Sequence, residues 1–177
     1  MFTIKKTVTT AMFIAIGVVL PIMFHSIPNV GRVFLPMHIP VLLAGIICGF
    51  PYGIICGILT PLLSHFTTGM PPAAHLPSMV CELAAYGAVS SLLIKYARVK
   101  SAYINIYIAL IGAMLSGRVF YGVLNALIFN AGKYSMGMWL SAAFVTALPG
   151  IAVQLVFIPV IVIALKKVGT TALGRPE

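Results

Sequence analysis

The chain has 177 residues, of which 61% are hydrophobic and only 7% are charged, and its formal net charge is +9. Soluble globular domains contain about 25% charged residues, so this composition excludes a soluble enzyme and a soluble binding domain. It predicts an all-α integral membrane protein. Six helices of about 20 residues each, joined by short loops, account for nearly the whole length. We therefore expect a single transmembrane domain over residues 1–177.

The sequence lacks the motifs of cofactor-dependent enzymes. It contains neither a GxxxxGK[ST] phosphate loop nor a GxGxxG dinucleotide fingerprint, which argues against an ATPase or a redox enzyme acting alone. A GxSxG nucleophile elbow is also absent. Cys48, Cys56 and Cys81 lie in apolar runs without CxxC spacing, which is typical of buried cysteines and not of a disulfide or zinc site. We expect no enzymatic activity, no cofactor and no metal site.

The first predicted span runs from Val8 to Phe24. Two lysines precede it, as in a signal peptide, but no small-residue cleavage site follows, so we expect the span to be retained. Ala11 and Ala15 are four residues apart and lie on one helical face, which allows another helix to approach closely. A turn-rich loop from His25 to Leu35 follows this span.

The stretch from Arg32 to Pro72 is apolar but interrupted. Pro36 and Pro40 open one segment, the corner at Gly49–Gly53 ends it, and a second segment runs to His65. About 14 helical residues in each half span roughly 21 Å, less than the roughly 30 Å of a hydrocarbon core. Short segments of this kind are typical of substrate sites, whether they cross the membrane or form a re-entrant hairpin. Glycines at every fourth position predict close helix contacts on both sides of the corner: Gly45, Gly49, Gly53 and Gly57.

Three longer apolar segments complete the predicted bundle. They run from Pro77 to Tyr96, from Tyr103 to Phe129 and from Met138 to Leu165. The last contains Pro149 and Pro159, which we expect to bend it.

Basic residues are concentrated on one side of this bundle. With the N-terminus in the cytoplasm, six crossings place eight basic residues inside: Lys5, Lys6, Lys95, Arg98, Lys100, Lys166, Lys167 and Arg175. Only Arg32 and Lys133 then face outward, which satisfies the positive-inside rule and puts both termini in the cytoplasm. The net charge therefore needs no nucleic-acid partner. Three loops are placed outside: His25–Leu35, Thr67–Leu76 and Asn130–Gly137.

Glu82 is the only acidic residue besides the terminal Glu177, and it shares a helical face with Ser78 and Tyr86. A charge at the centre of a membrane helix costs roughly 2.5 to 3.5 kcal/mol, so we expect Glu82 and Arg118 to be paired, hydrated or both. Such a pair either pins two helices together or lines a polar substrate cavity. The candidate substrate-binding residues are Glu82, Arg118, Tyr86, Asn125, Tyr121, His38, His75 and Gln154.

Four histidines are predicted near the outer ends of the spans: His25, His38, His65 and His75. Their spacing fits no metal motif such as HExxH, and the sequence offers no second carboxylate inside the membrane. Substrate contact, gating and interfacial packing remain the alternatives for these side chains.

The run LPMHIPVLLAGIICGFPYG and its continuation LTPLLSHFTTGMPP resemble the substrate-binding S component of energy-coupling factor (ECF) vitamin transporters. The resemblance implies a vitamin pocket in the outer half, gated by the loops after the first and third spans. Gating residues would be Arg32, Gly69, Met70 and Pro71. It also implies that Ala11 and Ala15 dock on a transmembrane T component, that two cytoplasmic ATPases supply the energy, and that the protein lies in a prokaryotic plasma membrane.

The resemblance leaves the substrate open between pantothenate, pyridoxine and hydroxymethylpyrimidine. Family members for nickel and cobalt begin with Met-x-His, whereas this chain begins with Met-Phe-Thr, which disfavours a metal substrate. Because Arg118 opposite Glu82 would be neutralised, a neutral heterocycle is favoured over anionic pantothenate. Two alternatives from other classes are a proton-coupled secondary transporter acting through Glu82 and a membrane chaperone without a ligand.

Overall fold

The computed structural model describes residues 3–23, 33–97, 99, 101–129 and 134–167. These residues form helices and contain no strand. The helices are α1 (Ile4–Met23), α2 (His38–Cys48), α3 (Tyr52–Thr68), α4 (Leu76–Tyr96), α5 (Ala102–Leu124), α6 (Met136–Leu140) and α7 (Leu148–Lys167). A π-helix, Asn125–Phe129, continues α5, and a second, Ser141–Thr146, follows α6. Several residues named above lie outside the described ranges: His25, Arg32, Arg98, Lys100, Lys133, Arg175 and Glu177.

The outside of the bundle is apolar, unlike the surface of a soluble protein, and polar groups lie within its mainly apolar interior. Large apolar side chains are exposed along the long helices, for example Met12 on α1, Leu115 on α5 and Val156 on α7. The buried side chains include polar and charged ones: Thr10, His38, Thr60, Ser64, Ser78, Glu82, Ser90, Ser91, Arg118, Asn125 and Gln154. Four helices, α1, α4, α7 and α5 with its π-helical extension, are long and apolar enough to cross a membrane. This pattern is typical of a multi-pass membrane protein.

α2 is the shortest of the helices α1 to α5, and it lies in the middle of the bundle. α2 contacts α1, α3, α4, α5 and α7, and Ile39 is its only residue that is not buried. Its 11 residues rise about 16 Å, so the helix alone is too short to cross a hydrocarbon core of about 30 Å. The 17 residues of α3 rise about 26 Å. Six crossings and cytoplasmic termini remain predictions.

Two glycines end the helices of the interrupted stretch. The Gly49 N–H donates to the carbonyls of Ala44 and Gly45, at 3.3 and 3.1 Å, and closes the C-terminus of α2. The Gly69 N–H does the same for α3 by donating to the His65 carbonyl at 2.8 Å. Their φ angles of 79° and 72° lie in the left-handed region, which glycine adopts without strain.

α3 and α4 approach each other backbone to backbone. A Cβ atom at Gly53 would lie 2.5 Å from the Gly87 carbonyl oxygen, and one at Gly87 would overlap the Gly53 carbonyl. Gly57 faces the Leu83 carbonyl in the same way. On the other side of the corner, a Cβ atom at Gly45 of α2 would lie 2.8 Å from the same Gly87 carbonyl. The predicted close contacts are therefore confirmed for Gly45, Gly53 and Gly57, whereas a Cβ atom at Gly49 would have no neighbour within 4 Å.

The structure differs from the sequence prediction in two places. The expected single helix over Met138–Leu165 is divided at Ala147, between the second π-helix and α7. Pro149 occupies the second position of α7, where its missing N–H costs no intrahelical bond, so it begins a helix and does not bend one. The second difference is Cys81, which is exposed on α4, whereas Cys48 and Cys56 are buried. The other long predicted spans agree with α1, α4 and α5 to within about one helical turn.

Candidate functional site

One buried face of α4 carries a carboxylate at the end of the bundle where α2 and α4 begin and α5 ends. We call this the site end. Ser78, Glu82 and Tyr86 follow one another at intervals of four residues, and all three are buried. The Ser78 hydroxyl donates to the His75 carbonyl at 3.0 Å. Glu82 is only 4% exposed, so its carboxylate lies in the interior and not in the surrounding membrane.

The Glu82 carboxylate faces nitrogen atoms from two neighbouring helices. Nη1 of Arg118 on α5 lies 3.6 Å from Glu82 Oε1, and Nε2 of His38 on α2 lies 3.8 Å from the same oxygen. The His38 ring also meets the Tyr86 ring edge-on, with 5.1 Å between the centroids. These four residues, His38, Glu82, Tyr86 and Arg118, form what we call the polar cluster. The structure therefore brings together four of the predicted site residues from three helices.

The polar cluster is paired by charge but is only partly satisfied by hydrogen bonds. Its two N···O distances are longer than the N···O distance of a charge-assisted hydrogen bond, which is about 2.7 to 2.9 Å. Glu82 Oε1, Arg118 Nη2 and both ring nitrogens of His38 are buried and have no hydrogen-bond partner among the described residues. Each buried polar group left unpaired costs about 1 to 3 kcal/mol. A small molecule that brings both donors and acceptors would recover this free energy.

The tyrosine of the cluster is seated against α5. A Cβ atom at Gly117 would lie 3.1 Å from two atoms of the Tyr86 ring, so the ring occupies the space that a side chain would fill. The Tyr86 hydroxyl interacts with both the Glu82 carboxylate and the Arg118 guanidinium. Gly117 thus allows the Tyr86 ring to pack against α5 next to the charged pair.

Trp139 of α6 is a site residue that the sequence did not reveal. Its indole N–H donates to the backbone carbonyl of Arg118 at 2.9 Å. The indole covers Gly122, where a Cβ atom would overlap the ring. Arg118 and Gly122 are one turn apart, so the tryptophan rests on the same stretch of α5 that carries the guanidinium. The one available signal was that Trp139 is the only tryptophan of the chain.

Tyr134 was also missed, although it belongs to a loop that the sequence placed outside. The residue is half-buried, and its hydroxyl oxygen is buried with no hydrogen-bond partner in the described part of the chain. Burial raises the pKa of this hydroxyl; Tyr121 and Glu82 raise the pKa further, and Arg118 lowers it. The phenol is therefore protonated at neutral pH and available as a donor, within electrostatic range of the two charged cluster residues.

The other predicted binding residues lie around the site end. Asn125 is buried at the end of α5, and its amide donates to the Tyr121 carbonyl at 2.8 Å. His75 is half-buried and immediately precedes α4. Gln154 is buried on α7, and its Nε2 has no hydrogen-bond partner in the ranges that the structure covers. One turn earlier, Gly150 packs against the backbone just before α2, which places the start of α7 at the site end.

The predicted gating residues are only partly described. Arg32 lies outside the described residues. Gly69, Met70 and Pro71 form the turn after α3, with Met70 exposed and Pro71 buried. The His65 Nδ1–H donates to the Pro71 carbonyl at 2.7 Å, so this histidine fastens the turn to α3. Within the described ranges, the hydrogen bonds of the three turn residues run to α3 and not to the polar cluster.

Ala11 and Ala15 line an open groove between α1 and α3. The groove has a volume of about 520 Å³, and its other walls are apolar apart from one threonine: Ile14, Val18, Val19, Leu63 and Thr67. Both alanines are exposed, so their small side chains leave room for a helix of another chain. The assignment of this face to T-component docking remains a prediction.

A family of known proteins matches this chain. The sequence model of the family described as "ECF transporter, substrate-specific component" matches residues 5–162. Comparisons with curated proteins and with solved structures gave no match. The matched range contains the whole polar cluster, the groove on α1, and Tyr134 and Trp139.

Proposed function

Because the chain belongs to the family of substrate-specific components of ECF transporters, we propose that it captures a small water-soluble vitamin or vitamin precursor for import into the cell. This family is a class of transporter component and not a class of enzyme. We place the substrate at the polar cluster, with Glu82 and Arg118 as its central binding residues. The other predicted residues around the site end, Tyr121, Asn125, His75 and Gln154, are proposed as further contacts.

The observation that carries this proposal is the set of unpaired polar atoms in the polar cluster. A purely structural ion pair would be expected to close to hydrogen-bond distance, because an imperfect buried pair does not recover its desolvation cost. Here the pair stays at 3.6 Å, and Arg118 Nη2 and the ring nitrogens of His38 remain unbonded among the described residues. The cluster thus offers both donors and acceptors to a substrate.

The charges of the polar cluster favour a neutral substrate. Glu82 and Arg118 offset each other, so no unpaired cation is left in the cluster to hold a carboxylate. The aromatic rings of His38 and Tyr86 belong to the same cluster, and aromatic rings pack favourably on a planar heterocycle. Pyridoxine or a hydroxymethylpyrimidine is therefore the favoured substrate, and pantothenate is next.

Import requires partners because the chain has no phosphate loop of its own. Substrate-specific components of this family work with a transmembrane T component and ATPases. We propose that the groove containing Ala11 and Ala15 docks on the T component in the cytoplasmic membrane of a prokaryote. An exposed apolar groove whose wall contains two alanines one turn apart fits a helix of a partner.

Calorimetry on the purified protein tests this function. Titration with pyridoxine, hydroxymethylpyrimidine and pantothenate should show tight binding of one neutral heterocycle and weaker binding of pantothenate. Bound ligand should also raise the thermal stability, by about 4 kcal/mol at a thousandfold excess over Kd. Glu82→Gln should reduce this response. Absence of binding to all three compounds would contradict the proposed substrate class.

The same protein in vesicles separates a binding subunit from a proton-coupled transporter. A subunit that needs its partners should give no uptake alone, and uptake should appear when the T component and the ATPases are added with ATP. Uptake without ATPases that collapses with the proton gradient would instead indicate a secondary transporter acting through Glu82.

A further inference from the structure

We propose that Tyr134 is a further substrate-contacting residue, which donates a hydrogen bond from the connection between α5 and α6, and that Trp139 is the positioning residue that holds this connection against α5. The inference rests on the proposed function of the polar cluster. It adds to the site residues that do not belong to the two loops implied by the family resemblance.

The first support is the position of the Tyr134 hydroxyl. Its oxygen is buried although the residue as a whole is only half-buried, so the side chain points its polar end inward. The hydroxyl lies in electrostatic range of Tyr121, Glu82 and Arg118. No described residue accepts or donates a hydrogen bond there. A buried hydroxyl without a hydrogen-bond partner is costly, so a bound molecule that supplies the partner would be stabilised.

The second support is the way in which the segment after Tyr134 is fixed. Ser135 caps α6 by accepting a hydrogen bond from the Met138 N–H at 3.2 Å. One residue later, the Trp139 indole donates to the Arg118 carbonyl and contacts Phe144 edge-on, with 5.6 Å between the ring centroids. The connection is therefore attached to the residue that supplies the cationic side of the cluster. Loss of that attachment should move Tyr134 and the backbone at Arg118 together.

The third support is the helix geometry on both sides of the connection. α5 ends in the π-helix Asn125–Phe129, and α6 passes into the π-helix Ser141–Thr146. Short π-helical turns occur frequently at functional sites. Two such segments flank Tyr134 and Trp139.

The chemistry assigns a class of group to the substrate. A neutral phenol donates one hydrogen bond, so the complementary group is an acceptor such as a ring nitrogen, a carbonyl or a hydroxyl oxygen. Glu82 would accept a hydrogen bond from a neutral heterocycle and Arg118 would donate to it, and Tyr134 would donate to one further polar group of the same molecule.

The test removes only the hydroxyl. Tyr134→Phe is compared with Tyr107→Phe, a matched control on the 40% exposed tyrosine of α5. Binding of pyridoxine, hydroxymethylpyrimidine and pantothenate is measured by calorimetry and by the fluorescence of Trp139, the only tryptophan. We expect Tyr134→Phe to weaken binding of the favoured compound about three- to tenfold, as for loss of one neutral hydrogen bond, and Tyr107→Phe to leave it unchanged.

A double-mutant cycle tests the role of Trp139. Trp139→Phe keeps a ring over Gly122 but removes the donor to Arg118, so calorimetry should show weaker binding, and adding Tyr134→Phe should then have little further effect. If the loss of binding free energy in the double variant equalled the sum of the losses in the two single variants, the positioning role of Trp139 would be refuted. Unchanged binding in Tyr134→Phe would overturn the substrate contact while leaving the proposed function intact. If the wild-type protein binds none of the three compounds, the proposed function fails and this inference fails with it.

Discussion

Two faces of α4 use opposite means to contact the neighbouring helices. On one face, Gly87 meets Gly53 across bare backbone, and the Leu83 carbonyl lies against Gly57; we call this backbone contact between α3 and α4 the glycine seam. On the other face, Glu82 and Tyr86 contact other helices through long side chains, at distances that leave polar atoms unbonded. The glycine seam has no room to adjust, whereas the polar contact has unused hydrogen-bonding capacity. Substitutions on the two faces should therefore have different effects.

The largest effect is expected at the seam. Gly87→Leu would drive a side chain into the Gly53 carbonyl, so α3 and α4 must separate. We expect a loss of at least about 3 kcal/mol of stability, at the upper end of overpacking penalties, and with it a loss of folded protein. Thermal unfolding in detergent, followed by Trp139 fluorescence, measures this. Gly137→Ala is the control, because the nearest atom to its added Cβ would be 3.9 Å away. Equal stability of the two variants would show that the helix contact is looser than described.

The next effect is expected at the charged pair, and on binding more than on folding. Glu82→Gln and Arg118→Met should each weaken substrate binding about tenfold to a hundredfold, since each removes a charged hydrogen-bonding partner. The double variant should be more stable than the sum of the two single losses predicts, because no lone buried charge remains. Calorimetry and thermal unfolding measure the two quantities. Full affinity in both single variants would mean that the pair only fastens α4 to α5.

A smaller effect is expected at the opposite end of the bundle, where the Tyr52 side chain holds the start of α1. The Tyr52 hydroxyl accepts from the Thr3 N–H at 2.6 Å and donates to the Thr3 carbonyl at 3.3 Å. Tyr52→Phe should speed hydrogen exchange in the first turn of α1 about fivefold, as for loss of about 1 kcal/mol. Tyr96→Phe, at a 68% exposed position, should leave that exchange unchanged. Equal exchange in both variants would show that the start of α1 is held by packing alone.

The isolated protein should show no effect from a substitution in the groove. Ala11→Trp adds a large ring on an exposed face, so vitamin binding should match the wild type. Uptake with the T component and ATPases should be abolished, because the ring fills the groove. Met12→Trp, at a 61% exposed position of α1 turned about 100° away, should retain uptake. If Ala11→Trp lost vitamin binding, the groove would have to serve the fold and not docking.

The helices and the seam could be predicted because their signals are local in sequence. Apolar runs bounded by polar, Gly or Pro residues locate α1, α4 and α5. Gly45, Gly53 and Gly57 are separated by multiples of four residues, a spacing that predicts close contacts between helices. The pairing of Glu82 with Arg118 could also be anticipated, since each is costly alone in a membrane. The division at Ala147 was missed, because hydropathy reads Met138 to Leu165 as continuous and does not report where a proline enters a helix.

By itself, the sequence determined the class of protein, the approximate positions of the long helices α1, α4 and α5, and which charges must meet, because burying polar groups in an apolar chain leaves few solutions. Only the tertiary structure decided that His38 lies beside Glu82, and that Trp139 contacts α5 at Arg118. These contacts join helices through the direction of individual side chains. No spacing along one helix encodes such a direction, because it depends on how the neighbouring helices are rotated and how far apart they lie.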